Sequence, residues 1–466
     1  MLFPTLDYFV FLAGVAGIHW AFTRSTFRTL WLLGASVVFY SAWNPHDLPL
    51  LLLVVAVAWI GGRQVAATSG NPRRAWLWAS TLALVTPLVF FKYTSFVTTN
   101  LNLLFSDIPA LPRQHLPIGI SFYTFQAIAY VIDVSRGQQP ERRLDRFTCF
   151  LLFFPHLVAG PILRAATLLS QLGAARALDR EDLAAGFLRL GTGLIKKVLI
   201  ADVLRVGIVD AVFMDPGKFT GLEVLVALYA YTLQIYCDFS GYTDFAIGSA
   251  RLLGFRIPEN FDRPYQALSV AEYWRRWHMT LSRWVQDYVY YPLGGSRIGG
   301  WRVYRNIMLT LLILAIWHGA NWTFVVYGLI HGAAVSVNRA MVQRRKRLGE
   351  ELDPGPGGIL WRWIVTFHFV VLARILFRAD DLAQAKALAA QLLDPVWALP
   401  RYSFHAWAVL ILGYLLHLSP RSWRDRLYVE AGRLPGPVWG LVLVVVAWLC
   451  VELGVGDTLA FIYYEF

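Results

Sequence analysis

Apolar residues in this chain come in long blocks, and the polar residues gather between them. The blocks fall at 8–22, 29–43, 48–62, 75–91, 147–161, 224–236, 307–317 (extended to 330), 361–377, 406–418 and 438–453. A helix that crosses a bilayer needs about 20 mostly apolar residues. Several blocks are shorter, so some must be re-entrant, tilted or buried by neighbours. The pattern predicts an all-α polytopic membrane protein with about ten to thirteen membrane-embedded helices of unequal length.

The texture changes along the chain. Residues 1–110 are plain apolar spans with short loops. Residues 111–335 mix apolar stretches with dense Gly, aromatic, Arg and His content. Residues 336–466 begin with a basic loop, Arg344-Arg345-Lys346-Arg347, and a Pro/Gly breaker at 354–358 before apolar spans resume. No polar segment is long enough for a separate soluble domain and no internal repeat is visible, so 1–466 reads as a single membrane domain.

Within the middle region, Ser269 followed by Glu272 fits a capping box and predicts a helix start. At 100° per residue, Trp274, Trp277, His278, Leu281, Trp284, Val285 and Tyr288 share one face of a helix continuing toward Pro292. Arg276, Arg283 and Asp287 take the opposite face. Such an amphipathic helix suits the membrane interface. His278 lies within its apolar stripe and so points away from water.

Composition sharpens the membrane reading. Hydrophobic residues make up 57% of the 466 and charged residues 15%, against roughly 25% charged in ordinary soluble domains. The net charge of +12 comes from arginines in loops between apolar runs, which points to topology and anionic headgroups. No soluble basic module is present to read a groove, so nucleic acid is not an expected partner. The N-terminus has Asp7 where a signal peptide would be basic, so the first block is read as a permanent span. Asp7 before that span, and Arg24 and Arg28 after it, place the N-terminus outside the cytosol. Cys149, Cys237 and Cys450 are far apart and form no metal spacing.

Two sets of residues are candidates for chemistry. His318 ends a strongly apolar run, where an ionisable group is costly unless it meets a cavity or a partner. Gly319 and Ala320 beside it suggest room for a substrate to approach the backbone. A neutral imidazole there is able to act as a general base without a metal, while the competing reading is a core histidine satisfied by one hydrogen bond. His331 shares that ambiguity. The second set is Asp238, Ser240, Tyr242 and Asp244, read as a polar network that orients an acceptor or braces broken helices. Trp317 and Asn321 join the candidates because they flank His318. A P-loop, HExxH and Gly-x-Ser-x-Gly are all absent, so a reaction run here needs an already activated donor such as a thioester.

The motifs, taken in order, carry a resemblance. They are Leu116-Pro-Ile-Gly-Ile-Ser-Phe-Tyr-Thr-Phe-Gln126, Phe154-Pro-His-Leu-Val-Ala-Gly-Pro161, Gly193-Leu-Ile-Lys-Lys-Val-Leu-Ile-Ala-Asp202 and Asp238-Phe-Ser-Gly-Tyr-Thr-Asp-Phe-Ala246. Glu272-Tyr-Trp-Arg-Arg-Trp-His-Met-Thr-Leu281, Trp317-His-Gly-Ala320, Leu376-Phe-Arg-Ala379 and the closing Phe461-Ile-Tyr-Tyr-Glu-Phe466 follow. The chain resembles the bacterial alginate O-acetylase branch of the membrane-bound O-acyltransferase family, nearly end to end. His156, Asp262 and Tyr327 depart from the usual Gln, Asn and Trp at their positions.

The resemblance implies a bundle of unequal, partly re-entrant helices around a central funnel or tunnel. It implies His318 and His278 as the catalytic pair and a cytosolic thioester donor. Acetyl-CoA is the expected donor, and Arg275 and Arg276 are read either as receiving its phosphates or as contacting membrane headgroups. No permanently bound cofactor or metal is expected. The acetyl group is destined for an exopolysaccharide or cell-wall polysaccharide outside the bacterial inner membrane, often through an extracytoplasmic SGNH-type acetyltransferase partner. Alternatives are a D-alanyl-type transferase fed by an acylated carrier protein, a transporter of the acyl donor without chemistry, and a structural anchor for a periplasmic acetylase.

Overall fold

The computed structural model describes residues 3–105, 109, 111–112, 114–174, 177–349, 355–394, 396, 398, 400–456, 459 and 461. Among them the regular structure is helical throughout, with no strand. Pro354 of the Pro/Gly breaker and residues 462–466 of the closing motif lie outside the described residues.

Six described helices are long and apolar enough to cross a membrane: Pro45–Ala67, Gly70–Asn102, Gly221–Leu252, Trp322–Arg347, Gly355–Arg378 and Gly436–Leu453. Leu6–Ala21, Ile120–Ser135 and Phe404–Leu418 are apolar but shorter. Full-length spans are thus fewer than the ten to thirteen embedded helices expected, because many apolar blocks become short buried elements. The block 147–161 shows how. It forms Leu144–Leu152 and the one-turn helix Phe154–Leu157, and every residue of 149–161 is buried by protein. Irregular backbone survives in a membrane protein only where protein covers it.

Burial separates the spans by role. Of the most apolar window in Gly221–Leu252, 72% is buried, against 17% in Gly70–Asn102 and 11% in Gly436–Leu453. The first is a core helix, and the other two present apolar side chains outward as a lipid-facing helix must. Three expectations are corrected here. The block 307–330 is a helical hairpin, Gly300–His318 and Trp322–Arg347, turning at 319–321. The basic loop 344–347 is the last turn of a helix, where cations offset the carbonyl end of the dipole. Gly355 to Gly358 open a helix, since Pro in a first turn removes no intrahelical bond.

Contacts divide the chain into two compact units. The first holds 1–193, 242–258 and 428–443, and the second holds 194–241, 259–427 and 444–466. In the first unit the Tyr8 hydroxyl meets Ser249 Oγ at 2.6 Å, and Asp182 takes both Arg251 and Arg256. In the second unit the hairpin helices pack at backbone distance. A Cβ on Gly328 would stand 2.9 Å from Leu312 Cα, and one on Gly332 would stand 3.3 Å from Met308 Cα. This Gly-xxx-Gly spacing is how helices approach closely where no hydrophobic drive separates helix from lipid.

Candidate active site

The helix predicted from Ser269 starts as expected. Ser269 Oγ accepts the Glu272 N–H at 3.1 Å, and Glu272 Oε2 accepts the Leu268 N–H at 3.0 Å. It does not run on to Pro292. It stops at Arg276 and restarts at Met279, with His278 between in the left-handed region at φ 42°. Only strongly over-determined surroundings hold a non-glycine residue there. The segment after Pro258 supplies them. Asp262 N–H donates to Arg276 O at 2.9 Å and Met279 N–H donates to Asn260 O at 2.9 Å, so the groups freed by the break are satisfied. The predicted apolar stripe is buried all the same, and Arg283 on its far side is exposed.

Asn260 does more than cap the break. It is fully buried, and its Oδ1 accepts from Thr280 N–H at 3.2 Å, from Thr280 Oγ1 at 2.8 Å and from His278 Nδ1 at 3.0 Å. The backbone N–H of Thr280 is a donor only, which fixes the amide oxygen toward it. His278 Nδ1 must then carry the hydrogen, and Nε2 carries the lone pair. Burial pushes the His278 pKa down to about 3, so the ring is neutral at physiological pH. Its ring stands perpendicular to Phe239 at 4.7 Å between centroids, and Phe461 packs on Phe239 at 5.5 Å.

His318 ends the helix Gly300–His318 and is 2% exposed. The Trp317 ring connects the two histidines. It lies 5.8 Å from the His278 ring and 5.0 Å from the His318 ring, edge to face with both. Phe377 meets His318 from another side at 5.1 Å. Two imidazoles 40 residues apart in sequence therefore pack on one indole inside the second unit. The space read beside Gly319 is filled: an added Cβ would collide with the Phe324 ring.

Comparison with known proteins supplies what geometry leaves open. A profile described as MBOAT, membrane-bound O-acyltransferase family, matches residues 146–377. A probable alginate O-acetylase of Azotobacter vinelandii is 40% identical over 383 residues, covering 80% of this chain and 74% of the relative. The chain belongs to the membrane-bound O-acyltransferase family. A peptidoglycan O-acetyltransferase of Helicobacter pylori is 37% identical, over 77% of this chain and 72% of the relative. A teichoic acid D-alanyltransferase of Streptococcus thermophilus is more distant, 27% identical over 56% of this chain and 68% of its own. As a membrane-bound O-acyltransferase, the protein is a multi-pass membrane enzyme that transfers an acyl group.

The remaining candidates of this O-acyltransferase are placed as follows. Asp238 ion-pairs with Lys197 at 2.7 Å, and Lys197 also holds Asp202 at 2.8 Å. Asp244 ion-pairs with Arg189 instead. Ser240 and Tyr242 are buried on the same helix. Gly221–Leu252 runs unbroken through all four, and its two carboxylates pair with different cations. Asn321 is a helix cap, with its Oδ1 accepting Thr323 N–H at 3.0 Å. Arg276 is tied to Glu272 at 2.6 Å, while Arg275 is exposed. His331 is buried with its Nδ1 accepting Trp274 Nε1–H at 3.2 Å.

Lys197, Asn260 and Arg374 were not singled out from sequence, although an ionisable side chain inside an apolar run is a signal for the first and third. Asn260 gives a direct test of how His278 is held. Asn260→Ala removes one oxygen that three donors share, which costs about 1–3 kcal/mol per orphaned group. Losing the ring's orientation is expected to lower acyl turnover by about 10²-fold. A variant that turns over like wild type would show that His278 needs no such support.

Proposed function

We propose that this enzyme moves an acetyl group from acetyl-CoA on the cytosolic side to a hydroxyl group destined for an exopolysaccharide or cell-wall polysaccharide. The reading places it in the bacterial inner membrane with its N-terminus outside the cytosol, and gives it an extracytoplasmic SGNH-type acetyltransferase as partner. The observation that carries it is the pair of buried imidazoles on Trp317, in a chain whose relatives are named for O-acetylation of alginate and peptidoglycan.

In this mechanism His318 takes the proton of the acceptor hydroxyl as its oxygen bonds to the thioester carbonyl carbon. The carbon–sulfur bond then breaks, and the proton passes from the imidazolium to the departing sulfur. His278 presents Nε2 as an acceptor, which suits orientation of a hydroxyl and does not suit stabilisation of negative charge. Arg275 is the exposed cation available to the donor's phosphates. Arg276 would have to leave Glu272 to join it.

The test uses purified protein in proteoliposomes, with radiolabelled acetyl-CoA or an acetylated carrier protein offered in turn. Label transferred from acetyl-CoA alone supports the reading. Transfer from the carrier protein alone would overturn acetyl-CoA as the donor.

A further inference from the structure

Acyl transfer places negative charge first on the carbonyl oxygen and then on the leaving sulfur, so the core needs donors or a cation to receive it. His278 offers a lone pair there, and the receiving groups must be others.

Arg374 lies in the helix Gly355–Arg378, only 1% exposed. Its Nη2–H donates to the Tyr273 hydroxyl at 2.8 Å, and its Cζ stands 4.8 Å over the Trp277 ring and 5.4 Å over the Phe377 ring. No carboxylate pairs with it among the described residues, and its Nε–H finds no acceptor there. A buried guanidinium held by the Tyr273 and Tyr265 phenols and by aromatic faces is a charge without a counter-ion, which proteins rarely keep without a use.

A second orphan donor lies in the same cluster. Because His331 Nδ1 accepts the Trp274 N–H, its hydrogen sits on Nε2, and that buried Nε2–H has no acceptor among the described residues. The His331 ring lies 4.2 Å from Tyr327, and Tyr327 lies 5.4 Å from Phe377. Phe377 is also the ring against which His318 packs at 5.1 Å. The Arg374 cation therefore lies on the Phe377 ring that His318 also meets, and the His331 N–H lies one ring farther, across Tyr327.

We propose that Arg374 and His331 form the anion receptor of this reaction centre, taking the charge that develops on the thioester oxygen or sulfur as His318 works. The idea rests on the acyl-thioester reading above. Arg374→Met and His331→Phe keep volume and remove the charge or the donor, and Arg374→Lys keeps the charge. In proteoliposomes, Arg374→Met is expected to lower kcat by about 10²-fold with KM for acetyl-CoA little changed. His331→Phe should fall in the same direction, and Arg374→Lys should retain part of the lost rate.

The melting temperature separates this from a structural role. An uncompensated buried cation opposes folding, so Arg374→Met is expected to melt at or above the wild-type temperature. A lower melting temperature with a matching loss of activity would overturn the proposal. So would an unchanged kcat, or a rise in KM alone. Wild-type protein and His318→Ala are run beside these variants. Wild type inert toward acetyl-CoA would refute the donor reading, and the kcat and melting comparisons would then be run with the acylated carrier protein as donor.

Discussion

His318→Ala is expected to lower acyl-CoA turnover by about 10²–10⁴-fold, the range that a lost general base typically removes. The side chain is buried at a helix end among Trp317, Phe324 and Phe377, so alanine leaves a small void. Folding should survive, and the variant should elute and melt close to wild type. The measurement is CoA release in proteoliposomes, read beside the melting curve. His278→Ala is the informative companion, because it removes a ring that touches the same indole and leaves His318 in place. If His318 is the base and His278 the orienting group, the first loss exceeds the second. A folded His318→Ala variant with wild-type turnover would remove the proton-transfer role from this residue.

Much of the architecture was legible because it is local. The Ser269 and Glu272 pair marks a helix start within four residues, and the structure has both bonds. The buried stripe from Trp274 to Tyr288 follows from periodicity alone. What periodicity misses is the break at His278, because the groups that satisfy it come from residues 260–262, and a pattern search has no view of that pairing. The same limit explains the polar cluster. Asp238 and Asp244 are close in sequence on one unbroken helix, and their cations, Lys197 and Arg189, come from segments that a local pattern does not connect to them. Gly319 was read as open space because glycine has no side chain, whereas the structure uses that gap to seat Phe324. The histidines were legible individually. Their common contact with Trp317 depended on tertiary packing.

Lys197→Met is expected to be the most damaging single change outside the histidine pair. Lys197 is 1% exposed and bridges Asp202 and Asp238, whose side chains are 2% and 3% exposed. The bridge depends on an unusual backbone. Residues Ile195–Asp202 are π-helical, and the i→i+5 register brings Lys197 and Asp202, five apart, onto one side. Arg205 and Asp210 are ion-paired at the same spacing beside the second π-helical stretch. Removing the cation leaves two buried carboxylates without the charge they share, a loss of about 3–5 kcal/mol, enough to deplete the folded protein. Burial already outweighs Lys197 and raises the Asp202 pKa to about 6. A carboxyl whose folded pKa is raised gives up stability as pH rises through that value and regains it on acidification. Without Lys197, which holds that pKa down, the carboxyl gains more from acidification than it does in wild type, so the Lys197→Met variant should melt nearer to wild type at pH 5 than at pH 8. Adding Asp202→Asn and Asp238→Asn to it should restore folding at pH 8, since no buried charge then remains at the site. Melting and monodispersity across that pH range decide the matter: a Lys197→Met protein as stable as wild type at pH 8 would mean that the triad carries no net stabilisation.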